Sequence, residues 1–451
     1  MAPTATEAPI GPLQQAPAAG ELVRRIISLA APTTVIALLQ AGGQLVETWL
    51  AARQGTPALA GWAVVLPFVL MMQQMSAGAM GGGVVSATAR ALGAGRGEDA
   101  ASLVLHAVLI ALGLGGLFTL LLAGMPDALF GLISGSAARE AAPYAAMLFG
   151  LGAIPAWIAN TLASVLRGGG KHGLAAMVIS VQALVFPPLA WLLMEPLGMG
   201  LRGLGLAFAL SQIGAGLSMA AVVLRGGAGF HPTLHVRPRR DLFIRILSVG
   251  AIACAMAALA NLTTILVTAR IASHGAVAVA AYGISARLEF LMIPLAFGIG
   301  SALTALVGRA VGAGDWVTAR RTAWIGGIGA FAIAAGVGIA TGLYPRHFAG
   351  AFSQDAAVVA IAARALGIIG PAFGGFGLGM ALYFASLGTG RMTWPAMAAL
   401  SRIGLAIGGG WLLGDVLGLG LDGQFIAVAA GITAYGAVIA SSVRPGVWRA
   451  R

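Results

Sequence analysis

Charged residues and Gly/Pro breaks divide this chain into about twelve long apolar stretches, and no other feature restricts its fold so strongly. Their approximate limits are 26–52, 57–89, 101–125, 140–166, 173–194, 203–224, 242–269, 276–308, 322–344, 356–387, 392–414 and 424–443. A hydrocarbon core about 30 Å thick is crossed by roughly 20 apolar residues in a helix, so each stretch is long enough to span a bilayer. Of the 451 residues 59% are hydrophobic and 9% charged, with a mean hydropathy of +0.93. No soluble domain could keep such a surface in water. The expected fold is an all-α polytopic membrane protein with about 12 transmembrane helices. The second stretch has no charge between Arg53 and Arg90, and Pro67 and Gly81-Gly82-Gly83 are expected to bend it.

The net charge is +12, but no basic cluster interleaved with aromatics exists to stack bases, so nucleic acid is not an expected partner. The cations gather at helix ends. Arg24, Arg25, Arg90, Arg96, Arg167, Lys171, Arg225, the group from Arg237 to Arg245, Arg309, Arg320, Arg321, Arg391, Arg402 and Arg444 fall at the N-terminus, at even-numbered helix ends or at the C-terminus. By the positive-inside rule both termini are cytoplasmic, in an inner (plasma) membrane. Residues 1–20, rich in Ala, Pro and Gln, read as a disordered cytoplasmic segment. The run after Arg25 is too long for a signal-peptide core and lacks a clear cleavage site. Cys254 is the single cysteine, which excludes an intramolecular disulfide and suggests neither a redox nor a metal site.

One carboxylate, Glu47, stands inside the first stretch. A charge at bilayer depth costs at least ~2.5–3.5 kcal/mol, so a membrane protein that retains one usually employs it. Glu47 lies in the outer half of its span, where one reading is an interfacial glutamate reaching water. Gln40 and Gln44 lie near the same helical face, and a polar stripe there points into a bundle or cavity. In the eighth stretch Arg287 and Glu289 are two residues apart and point about 200° from each other, so each needs a partner from another helix or a wet cleft. They either lock helices together or line a cavity. Asn160 and Gln182 either join helices or extend the polar network around Glu47.

The second half of the chain repeats the first. Arg90-Ala91-Leu92-Gly93-Ala94-Gly95 recurs as Arg309-Ala310-Val311-Gly312-Ala313-Gly314, an offset of 219. Gly168-x-Gly170-Lys171 recurs as Gly388-x-Gly390-Arg391, and the run from Gly198 to Gly203 as that from Gly418 to Gly423, both at 220. Six helices per half make these parallel repeats about an axis along the membrane normal. The expected organisation is a first lobe over 21–225, a cytoplasmic linker over 226–241 and a second lobe over 242–451. Glycine pairs at these sites are expected to end helices tightly, since no strand precedes them as a phosphate loop requires.

Several of these segments have a collective pattern. Pro32 is followed by Val46-Glu47-Thr48, then by Gly55-Thr56-Pro57-Ala58-Leu59-Ala60-Gly61. Gly93-Ala94-Gly95 and Gly312-Ala313-Gly314 follow the second and eighth stretches, and Arg167-Gly168-Gly169-Gly170-Lys171 the fourth. Arg287-Leu288-Glu289-Phe290-Leu291-Met292-Ile293-Pro294-Leu295-Ala296-Phe297-Gly298 lies in the eighth. Together, over nearly all of the chain after residue 20, they resemble the multidrug and toxic compound extrusion (MATE) family of cation-coupled exporters. The resemblance implies two six-helix lobes around a central cleft that opens alternately to either side. It implies export of organic, often cationic compounds, driven by inward movement of protons or sodium.

This chain departs from the family pattern in three places. The usual first-helix aspartate is glutamate, one methylene longer. The "R-x-x-G-D" after the fourth helix is matched only in part. Where the sodium-linked NorM-type branch has carboxylates in the seventh and tenth helices, this seventh helix offers Asn261, Thr263, Thr264 and Thr268, and the tenth carries Arg364. That is more similar to the DinF-type branch and favours protons over sodium. Glu47 is then the proton or cation coupling residue, with Gln40, Gln44, Asn160, Gln182, Asn261, Thr264, Arg287 and Glu289 as cavity-lining candidates. No cofactor or metal is expected, the substrate is a small molecule, and the protein is read as a monomer in the bilayer. The alternative function is a lipid or lipid-linked-sugar flippase on the same two-lobe plan. An enzyme is disfavoured, because the adjacent acids Glu98-Asp99 lie in a loop with no second acidic cluster to hold a metal–diphosphate.

Overall fold

A computed structural model describes residues 17–134 and 138–449. Twelve of its helices are long and apolar enough to cross a membrane. In the first half they are α1 (Ala19–Arg53), α2 (Thr56–Gly93), α3 (Gly97–Ala123), α4 (Arg139–Gly168), α5 (His172–Met194) and α6 (Gly200–Leu224). The second half supplies α7 (Arg240–Ala272), α8 (Ala276–Gly312), α9 (Trp316–Leu343), α10 (Ala356–Thr389), α11 (Thr393–Val416) and α12 (Gly420–Ser442). Helix α1 starts well before the expected limit of 26, and Glu21 and Arg25, at 2.5 Å, pair within its first two turns. Most of the segment expected to be disordered, 1–16, lies outside the described residues.

The repeat is visible in the packing. In the first lobe α4 packs on α6, α3 and α2; in the second, α10 packs on α12, α9 and α8. The far ends carry the same symmetry as ion pairs: Arg53 with Glu195 at 3.1 Å joins α1 to the end of α5, and Arg270 with Asp415 joins α7 to α11.

The lobes meet mainly on the side of the linker. The second half of α2 touches α7, α8 and α10, and α1 touches α8 and α9. The first half of α2, Thr56–Gln73, packs on α1, α4 and α6 of its own lobe. At the linker side the glycine motifs put backbone on backbone. A Cβ at Gly93 would collide with the carbonyl oxygen of Arg309, and one at Gly312 with that of Arg90. The side chains of the same two arginines cross over. Arg90 donates to the carbonyl of Gly388 at 3.2 Å, at the end of α10, and Arg309 to that of Gly169 at 2.8 Å, at the end of α4. Each thereby places a cation on carbonyls that a helix end leaves unpaired.

The expected bend in α2 takes another form. Pro67 lies in regular helix, and the irregularity is a π-helical stretch from Gln74 to Met80. Gly81, Gly82 and Gly83 are packing sites instead, where an added Cβ would strike Ser164 of α4, Leu387 of α10 and Ile246 of α7. Successive residues on a helix point about 100° apart, so three adjacent glycines let three helices approach α2 at one level. The linker is strapped to α3. Thr233 N–H donates to the Ala101 carbonyl at 3.2 Å, and Arg239 N–H to buried His106 Nε2 at 2.8 Å. Asp99 sits in the first helical turn of α3, not in a loop, and pairs with Arg245 at 2.8 Å.

Candidate functional site

Glu47 is half-buried, and three and four residues further along α1 stand Leu50 and Ala51, both fully buried. This face of α1 therefore looks into the first lobe. Gly61 has no side chain, and α2 there presses so close to α4 that a Cβ would come within 2.7 Å of Glu140 Cβ. The next residue, Trp62, is buried and turns its indole N–H toward the Glu47 carboxylate, short of full hydrogen-bond geometry. Buried Tyr144 of α4 lies within electrostatic reach of the same carboxylate. No cation pairs with Glu47 among the described residues.

The other first-lobe candidates do not all join it. Gln40 and Gln44 are exposed, so the polar stripe divides, with Glu47 turned inward and the two amides not. Gln182 is half-buried on α5. Asn160 belongs to a separate network about three turns further along α2 than Trp62, donating to Gln73 Oε1 at 3.0 Å and Ser76 Oγ at 2.8 Å. Across the cleft Asn261 of α7 donates to Gln74 Oε1 at 3.0 Å. The adjacent amides Gln73 and Gln74 thus bind one lobe each, at the start of the π-helical stretch. Thr264, the repeat counterpart of Glu47, donates to the Ala260 carbonyl at 3.3 Å.

The second-lobe carboxylate is neutralised. Glu289 pairs with Arg402, and their side chains are only 15% and 14% exposed. Arg402 also lies 5.4 Å from the centre of the Phe376 ring. Its placement corrects the charge reading: it is no helix-end cation of the linker side but sits two and a half turns inside α11, where the buried acid of α8 holds it. Arg287 is exposed and shares no ion pair with Glu289. Trp62, Tyr144, Gln73, Gln74 and Arg402 were not foreseen as site residues. The Gln-Gln pair in an uncharged span was a usable signal; the aromatics read as ordinary packing. Among the described residues no three His, Cys, Asp or Glu side chains converge on a metal position.

The arrangement provides two acids in equivalent lobes with opposite circumstances. One is paired with an internal cation; the other, half-buried beside two aromatics, has no paired cation among the described residues.

The sequence model of the MatE family matches residues 32–192 and 252–412, once in each lobe. A Caulobacter vibrioides protein named "Probable multidrug resistance protein NorM" is 30% identical over 158 residues, 34% of this chain and 33% of that relative. The match thus spans about a third of the relative's length. Among solved structures, a MOP superfamily transporter from Pyrococcus furiosus superposes with a TM-score of 0.87 at 22% identity, covering 96% of this chain and 99% of that one. The Vibrio cholerae MATE transporter VcmN in its bent form gives 0.85 at 19% identity, over 95% and 98% of the two chains.

Proposed function

This chain belongs to the MatE family, and from that premise we propose that it is a secondary antiporter that exports organic, cationic or amphipathic compounds in exchange for protons. The observation that carries the reading is the isolation of Glu47: a carboxylate withdrawn into the first lobe beside Trp62 and Tyr144, with no cation paired to it among the described residues. A carboxylate taken from water into an apolar site favours its neutral form, and a group that is stable charged on one side of a cycle and neutral on the other can move a proton. Glu289, already paired with Arg402, has no such freedom. Proton uptake by Glu47 removes a buried charge and lets α1 repack on α2 and α4. Proton release resets it.

Alternating access is supported by where the lobes touch. Their contacts lie mainly on the linker side and reach as far as the Asn261–Gln74 hydrogen bond at mid-span, while the first half of α2 stays within its own lobe. The cleft therefore faces away from the linker here, and the opposite state requires the arginine-capped contacts to part. With the linker and both termini in the cytoplasm of a cell with an inner membrane, that is an outward-facing arrangement of a monomer. What supports protons over sodium is the second lobe's lack of carboxylates at the positions the sodium-linked branch uses, with Asn261 and Thr264 in α7 and Arg364 in α10. The curated relative's name accords with drug-like substrates.

The test is efflux of several dye cations from proteoliposomes, with an imposed proton gradient or, separately, a sodium gradient. Wild type is expected to respond to the proton gradient, and Glu47→Gln, which fixes a neutral side chain, to fold normally yet lose that response. A response to sodium alone would replace the proton in this scheme. Wild-type coupling in Glu47→Gln would remove Glu47 from it.

A further inference from the structure

On the linker side, a space of about 470 Å³ opens between the start of α1 at Ala19, the first turns of α9 and the C-terminal segment at 443–445. The α9 wall is Val317, Arg320, Arg321, Trp324 and Ile325, spaced i, i+3, i+4, i+7 and i+8 and so on a single helical face. The face is graded along its length: the arginines lie in its first two turns, and tryptophan and isoleucine follow toward the apolar core. Trp324 is anchored by its indole N–H to the Val443 carbonyl at 3.3 Å, and Arg320 donates one N–H to the Trp448 carbonyl at 2.7 Å.

Neither Arg320 nor Arg321 has an ion pair among the described residues, and no acid lines the space. The nearest acids on the lining elements are engaged elsewhere. Glu21 pairs with Arg25, and Asp315 caps α9 by accepting from Thr318 N–H at 2.8 Å. We propose that this space is a binding site for an anionic phospholipid, its phosphate held by Arg320 and Arg321 and its glycerol and upper acyl carbons lying on Val317, Trp324, Ile325 and Pro445. Basic recesses between helix ends attract anionic headgroups, and a tryptophan at that depth supplies the amphipathic boundary. The phosphodiester sets its single negative charge between two cations that have no ion pair among the described residues, and the apolar walls give its upper acyl carbons a surface to lie on. A lipid there touches α1 of the first lobe and α9 of the second, beside their contact.

The test uses the full chain in detergent and native mass spectrometry, comparing retained phosphatidylglycerol with phosphatidylcholine at equal loading. Wild type is expected to retain phosphatidylglycerol preferentially. Arg321→Gln, at an exposed residue with no hydrogen bond or ion pair among the described residues, is expected to cut that preference about fivefold, and Arg320→Gln/Arg321→Gln to abolish it. Val317→Trp fills the space with both charges kept and should also abolish it, whereas Arg225→Gln, at an exposed linker-side arginine outside the space, should not. If the double variant fails to fold, Arg321→Gln and Val317→Trp decide the matter alone. Undiminished preference in both would overturn the site. Displacement of the lipid by millimolar inorganic phosphate would show a free-anion site in place of a lipid one.

Discussion

At the scale of single residues, the contrast between Glu47 and Glu289 yields two predictions. Restoring the family's usual aspartate by Glu47→Asp shortens the reach by one methylene toward Trp62 and Tyr144. It is expected to keep part of the proton-driven efflux that Glu47→Gln loses, measured at matched expression in the same vesicles. Glu289 should behave in the opposite way. Removing its partner by Arg402→Met leaves an unpaired buried carboxylate and is expected to cost about 3 kcal/mol of stability, read as thermal unfolding in detergent. Glu289→Gln with Arg402→Met should recover most of that loss and leave proton coupling intact, because the pair joins α8 to α11 and the proposed proton route runs through Glu47 alone. Glu47 itself was legible in the sequence because a lone carboxylate in an apolar run has a cost that demands a reason. Its neighbours were not, since a tryptophan and a tyrosine inside apolar spans look like packing until the helices that bear them are assembled. Arg402 was misplaced for a related reason: proximity to a helix end in sequence does not reveal that a buried acid three helices earlier draws it inward.

At the scale of elements, the ends of α2 and α8 show what the repeated Arg-Ala-x-Gly-Ala-Gly motif does. The motif and its offset were evident in the sequence, and so was tight packing at its glycines. The exchange itself was not, because a motif gives no hint that each arginine crosses to the other lobe to cap α4 or α10. The pairing predicts symmetric effects. Gly93→Val would push a side chain into the backbone of Arg309, and Gly312→Val into that of Arg90. Each alone is expected to wedge the linker side open, raising the labelling rate of a cysteine placed at Ala94 or Ala313 with a membrane-impermeant reagent. Gly116→Ala, with nothing within 4 Å of its Cβ, should leave that rate unchanged. Equal labelling in the valine variants and in wild type would mean that the lobes do not separate along this seam. The π-helical turn of α2 could not be read from sequence. Pro67 and the glycines were the visible breakers, yet the backbone departs from regular helix at Gln74–Met80, where Gln73 and Gln74 satisfy amides from both lobes and three neighbours close on the glycines.

At the scale of the whole molecule, twelve spans and a parallel repeat followed from hydropathy and motif spacing alone, because the bilayer allows few solutions to that pattern. Which side is closed did not, since it depends on contacts between residues some two hundred positions apart. Two lobes joined by a linker, touching mainly on one side and carrying equivalent ion pairs at their far ends, are the arrangement that rocking requires. The far-end pairs, Arg53 with Glu195 and Arg270 with Asp415, each lie within a lobe, so they hold the tips of α1 and α7 rigid without bridging the mouth. If transport proceeds by rocking about the linker side, the mouth between those tips must narrow in every cycle. A cysteine pair placed beside Arg53 and Arg270 and joined by a rigid, reducible cross-linker spans the mouth while it is open and resists its closing. Efflux is then expected to stop, with thermal unfolding unchanged, and to return when the link is reduced. Efflux that persists after complete cross-linking would require a path through a molecule whose lobes stay still, and the closed linker-side seam would have to open by movement of single helices.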